Sequence, residues 1–237
     1  MGRDNRPPER QQKELARKLG KRGGYDRILI VSEGSKTEPN YFNEIRAAYR
    51  LPTANVVVLP GQIGSAPIQV VQYARALFEH GDSHKNIQPR AFERVFAVFD
   101  RDDHASYTEA LQLAASLDGK LKNEAKQFIL FEAVASVPSF ELWLLLHYED
   151  IRGSVHRNEV MRRLKHHIPG YEKGASNVFA NTREHLAIAT QRGQALALKF
   201  TAHTTPEPYT GVAELVTLLT TLRGEASALT PLKHPPA

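Results

Sequence analysis

The runs RILIV at residues 27–31 and ERVFAVFD at residues 93–100 are continuous apolar stretches of strand length, each closed by polar residues. Alternation would mark a sheet with one wet face. A continuous run needs apolar cover on both sides, as in parallel strands held between two layers of helices. The chain supplies those layers. A helix is predicted over Glu38–Arg50, with Pro39 tolerated in its first turn. ANVVVLPG reads as a second strand stopped by Pro60 and Gly61, and PIQVVQYARALFE at 67–79 carries apolar residues at helical spacing. SYTEALQLAASL is the next helix, and KQFILFEAVAS holds a fourth strand. Strands alternating with helices in this way predict an α/β fold with a mainly parallel sheet sandwiched by helices. PSFELWLLLHY, from Pro138, is a helix so apolar that it belongs in the core, and beyond residue 150 the pattern predicts helices at 156–167, 177–192 and 210–222 with no further strand.

Composition excludes several chemistries. The 237 residues include no cysteine, which removes disulfides, thiolate nucleophiles and cysteine-ligated zinc together. There is no apolar run of membrane-spanning length, and the first residues are charged where a secretory signal needs an apolar stretch; the expectation is a cytoplasmic chain without membrane attachment. The net charge of +5 is local: residues 1–24 hold eight Lys/Arg against three Asp/Glu, and the rest of the chain balances. Such an arm can neutralise phosphates without reading sequence, or serve only as a solvated leader.

The third strand ends in an unusual crowd of acids, FDRDDH, with Asp100, Asp102 and Asp103 within four positions. Ligand sites in open parallel sheets gather at the carboxyl ends of strands. Glu33, just past the first strand, converges there with Asp100 and Asp102 if the two strands are neighbours. Strand alternation sends Asp100 and Asp102 to one side and Arg101 to the other. Carboxylates gathered without basic partners repel one another, and a hard divalent cation with oxygen ligands would relieve this. Each acid also has a plainer role: Asp103 or Ser106 could cap the following helix, Glu33 could be a solvated turn residue, and Glu141, near the start of the apolar helix, could complement the helix dipole. EGSKT lacks the glycine spacing of a P-loop, yet Gly34, Ser35, Lys36 and Thr37 stand where backbone N–H groups and an ammonium can meet a phosphate at a helix N-terminus, with Lys36 the foremost contact. GQIGSAP is a second, less specific glycine-bearing loop. His104 is a candidate proton relay. Arg157, Arg162, Arg163, Lys165, His166 and His167 form a basic helix face that could touch a nucleic-acid backbone or simply be solvated.

Three blocks, ILIVSEGSKTEPNYF, VFAVFDRDDH and PSFELWLLLHY, closely resemble the signature blocks of the RloB family, proteins encoded near bacterial restriction-modification and phage-defence genes; fainter agreement extends through YTGVAELVTLL. The resemblance implies a Toprim-like domain, the α/β unit of topoisomerases, primases and OLD-type nucleases. It implies that Glu33 is the Toprim glutamate, as metal ligand or as general acid/base, that Asp100 and Asp102 are the Asp-x-Asp pair, and that Glu141 is an additional ligand. Together these would hold one or two Mg²⁺ or Mn²⁺ ions. Val137 stands where the family commonly has an asparagine. The implied organisation is a basic flexible arm (1–24), a Toprim-like catalytic domain (25–150), a helical C-terminal region (151–225) and a disordered tail (226–237).

The implied activity is metal-dependent hydrolysis of nucleic-acid phosphodiester bonds in antiphage defence, with RNA, tRNA included, favoured over DNA and an ATPase of the same locus as a partner. Two other readings stand beside it. One is a Toprim-like module that binds nucleic acid or a partner without turnover. The other is a phosphatase of the haloacid dehalogenase type with Asp100 as nucleophile.

Overall fold

The computed structural model describes residues 25–61, 66–101, 106–198 and 207–228. Its five strands form one sheet in the order β2-β1-β3-β4-β5. They are β1 (Ile28–Ser32), β2 (Val56–Pro60), β3 (Arg94–Asp100), β4 (Leu130–Val137) and β5 (Tyr209–Thr210). The first four are mutually parallel, and β5 runs antiparallel to β4, with Thr210 opposite Ser136 and Tyr209 opposite Val137. β1 lies between β2 and β3 and is buried along its whole length. That is the physical reason its sequence is apolar at consecutive positions.

Side-chain alternation divides each central strand between two cores. Ile28, Ile30, Phe96 and Val98 face one side, where they meet Phe42 and Ile45 of α1 (Thr37–Ala48) together with the C-terminal helices. Leu29, Val31, Val95, Ala97 and Phe99 face the other, against α2 (Pro67–His80) and α3 (Tyr107–Leu117). Helix α4 (Glu141–Leu146) is buried at every position, as its apolar run from Leu142 to Leu146 requires. Against it pack α5 (Arg157–His167) and α7 (Leu186–Ala197), and α8 (Val212–Ala228) packs on α7. The packing of α7 on α8 is close at Gly193, where a Cβ would come within 2.7 Å of the Ala213 Cβ.

Two expectations need correction. A strand does occur beyond residue 150, but β5 is two residues long, too short to leave a periodic signature, and it exists because the edge of β4 offers it a partner. The single helix expected over 177–192 is broken into α6 (Val178–Thr182), a 3₁₀ turn at Arg183–His185, and α7. At the break the Thr182 hydroxyl donates back to the carbonyls of Val178 (2.9 Å) and Phe179 (3.3 Å), a pattern that bends helices. The basic arm, most of the second glycine-bearing loop and the final residues lie outside the described residues. Among the described residues, no helix is long and apolar enough to cross a membrane.

The indole N–H of Trp143 donates to the Tyr41 hydroxyl at 2.8 Å, joining α4 to α1 inside the core. Tyr41→Phe would leave that buried donor without its acceptor. The expected loss is about 1–3 kcal/mol, read from urea denaturation; an unchanged midpoint would show that the bond contributes nothing.

Candidate functional site

A cleft of about 290 Å³ opens where β1 and β3 end. Four segments line it: Glu33 to Glu38 from the β1–α1 turn, Asp100 from β3, Phe140 and Glu141 at the start of α4, and Arg157 with Lys173 from the C-terminal region. The parallel register explains the meeting of the first two. Ser32 stands opposite Val98, so the next residues on both strands, Glu33 and then Asp100, emerge together at the sheet edge. There the Glu33 N–H donates to the Val98 carbonyl (2.8 Å), while the Asp100 N–H donates to Glu33 Oε2 (3.0 Å). Arg101 turns the other way and pairs with Glu207, as alternation predicts.

Glu38 completes the acidic group. It lies in the first turn of α1, is almost fully buried, and folds back so closely on Gly34 that a Cβ there would sit 2.0 Å from Glu38 Oε2. A side chain at position 34 would require that carboxyl to shift. Glu141, 2% exposed, accepts the Ser139 hydroxyl at 2.7 Å and lies 3.8 Å from the Lys173 ammonium.

Electrostatics follow from this crowding. Removal from water raises the Asp100 carboxyl well above the ordinary range, and the neighbouring Glu38, Glu141 and Glu33 raise it further. Burial likewise pushes Glu38 up to about 7, helped by Glu141 and Glu33 and opposed by its own backbone N–H and by Lys173. The Tyr171 hydroxyl is also raised, by burial first and then by Glu141 and Glu38. The cleft thus relieves like-charge repulsion by favouring the protonated form of two of its acids.

A loop from the C-terminal region closes one side. The Gly174 N–H donates to the Thr37 hydroxyl (3.0 Å), and the Asn40 amide donates to the Gly174 carbonyl (3.0 Å). Gly174 has a φ of +83°, and a Cβ there would meet the Lys36 Cβ at 2.7 Å. Both its backbone and its lack of a side chain are therefore required for the loop to lie against Lys36 and bring Lys173 to the cleft.

The family model for RloB-like proteins matches residues 28–219, well over half of the chain. The chain belongs to the RloB family. No curated protein and no solved structure matches it. Membership in this Toprim-like family agrees with the fold, a largely parallel sheet flanked by helices with a helical C-terminal extension.

The structure brings together eight of the residues singled out in the sequence, Glu33, Gly34, Ser35, Lys36, Thr37, Asp100, Glu141 and Arg157. Asp102, Asp103 and His104 lie outside the described residues. The expectation of one or two Mg²⁺ or Mn²⁺ ions held by Glu33, Asp100, Asp102 and Glu141 is overturned. Among the described residues, no group of three or more His, Cys, Asp or Glu is placed to hold a metal ion. The bonding shows how these carboxyls are engaged instead: Glu33 is turned to the Asp100 N–H, and Glu141 to Ser139 and Lys173. These carboxyls share a field without sharing a focus.

Three smaller corrections concern this RloB-family chain. Ser106 makes no side-chain cap to α3. The basic face of α5 is largely paired with acids of the helix and of its flanking segments: Arg162 pairs with Glu159, Arg163 and His167 with Glu149, and Lys165 with Glu172. Of that set, Arg157 lines the cleft. The segment at 168–176, outside the recognisable sequence blocks, carries Tyr171, Lys173 and Gly174 to the site. Their signal was absent from local pattern, whereas Glu38 had one: an acid four residues after a glycine at a helix start.

Glu38 binds its proton more tightly in the folded chain than its ordinary value of 4.5 would allow. Between pH 4.5 and about 7 the native state holds the extra proton, so stability falls as pH rises through that window and levels off above it. Glu38→Gln should remove this component, on the order of 3 kcal/mol at most, and be more stable than the parent at pH 8 relative to pH 5. Urea midpoints at the two pH values check it; parallel pH profiles for parent and variant would refute it.

Proposed function

We propose that this chain is a Toprim-like module that binds nucleic acid by its phosphate groups in the cleft at the ends of β1 and β3. One observation carries the reading: Lys36, Arg157 and Lys173 line a cleft at the N-terminal turn of α1 in which two of the four carboxyls, Asp100 and Glu38, are biased towards their neutral forms. Burial of these two acids reduces the negative charge that the cleft sets against its cations. A helix N-terminus with ammonium and guanidinium groups around it suits a phosphate. RNA, tRNA included, is the favoured nucleic acid, DNA the other, and the setting is antiphage defence beside an ATPase of the same locus; these choices rest on the family's genomic company.

Hydrolysis of a phosphodiester bond is the second reading, and the protonated carboxyls favour it. A neutral Asp100 or Glu38 beside a bound phosphate is equipped to give a proton to a leaving oxygen.

Anisotropy with labelled tRNA and a DNA duplex separates the readings. Lys36→Ala with Lys173→Ala should weaken binding about tenfold, as loss of charge-assisted phosphate contacts requires. Asp100→Asn should bind as the parent does, and EDTA should leave affinity unchanged. Unaltered affinity in the double lysine variant would sink the cleft as the binding site. Cleavage by the parent but not by Asp100→Asn would establish the hydrolytic reading.

A further inference from the structure

The hairpin between α3 and β4, residues 119–129, sits at the opposite end of the sheet from the cleft. Parallel strands put Arg27, Glu93 and this hairpin at the amino ends of β1, β3 and β4, about 20 Å along the strands from Glu33 and Asp100. At its surface Phe128 is 64% exposed, while its neighbour Ile129 is buried. The Lys122 ammonium lies 4.5 Å from the centre of the Phe128 ring. Lys120 and Lys126 are exposed in the same hairpin. Among the described residues these three lysines have no ion-pair partner. The acids beside them are already engaged, Asp118 by the Phe131 N–H (3.0 Å) and Glu124 by Arg27 (2.7 Å).

This is a held element. Asn123 donates its N–H to the Gln127 carbonyl (2.9 Å), and its side-chain oxygen accepts the Gln127 N–H (2.9 Å). Its side-chain amide reaches Glu93 at 3.2 Å, and the Glu124 N–H donates to the Arg90 carbonyl at 2.8 Å. Lys126 occupies the left-handed region, φ +62°, so the turn has a fixed shape. An aromatic ring left in water on a braced hairpin forgoes its own burial and is presented ready-made. A broad apolar patch would suit a protein partner. Here a single ring carries the Lys122 ammonium and shares its hairpin with two further exposed lysines, the combination on which an unpaired base stacks while its flanking phosphates meet cations.

The geometry points to a second nucleic-acid contact on this hairpin, one that takes single-stranded RNA or DNA by stacking a base on Phe128 and holding its phosphates with Lys120, Lys122 and Lys126. It goes beyond the cleft and does not require it.

The full chain should bind a short labelled single strand more tightly than a duplex of the same sequence, measured by anisotropy. Phe128→Ala should weaken single-strand binding about tenfold. Phe128→Trp should preserve it and show tryptophan quenching on binding. Lys122→Ala with Lys126→Ala should lower the salt slope by about 0.7 per lost phosphate contact. Loss with the lysine variants but none with Phe128→Ala would overturn base stacking. Parent-like binding by all the variants, no single-strand binding by the parent, or a Phe128 dependence for anionic vesicles instead of oligonucleotides would overturn the proposal as a whole.

Discussion

The structure depends on β1 being buried on both faces. A strand with no exposed side can be satisfied only by parallel neighbours and two covering layers, and that arrangement directs every strand's carboxyl end to the same edge. At that edge the ladder stops and polar groups must resume. Ser32–Glu33–Gly34 and Asp100–Arg101 make that change of character at adjacent strand ends. The cleft is thus a direct product of the core, placed by register.

Crowded carboxyls at such an edge have two physical solutions, a cation that they share or protons that they keep. Burial and crowding favour the second for Asp100 and Glu38. Glu33 accepts the Asp100 N–H and Glu141 the Ser139 hydroxyl, while Asp100 and Glu38 are biased towards the neutral form. Lysine and arginine side chains from the β1–α1 turn and from the C-terminal region then give the cleft its cationic lining. A site of this kind is tuned by how well it excludes water, since burial is the largest influence on both raised acids.

Much of this was legible in the sequence because it is local. Continuous apolar runs gave the four parallel strands, and the acids following β1 and β3 marked the edge where they meet. The remainder is non-local. β5 has no signature of its own beyond two residues that β4 pairs with. Lys173 and Gly174 sit in a stretch without periodicity, and their importance comes from a contact with α1 more than 130 positions earlier. The basic face of α5 misled for a related reason: its charges read as a surface, but Glu149 and Glu172, from flanking segments, pair with Arg163, His167 and Lys165. The metal expectation rested on carboxyl proximity, which the fold bears out for Glu33, Asp100 and Glu141; their orientation is a property of individual hydrogen bonds that spacing does not encode.

The loop that lies against α1 also sets an order of events. When the β1–α1 turn leaves the ribosome, the segment that will cover it has yet to be made, and so has the partner of β4's outer edge. The nascent chain therefore holds the sheet edge and the start of α1 open through the synthesis of more than half its length. The cleft is among the last features to be completed, and a chain that stops short of Gly174 never acquires it.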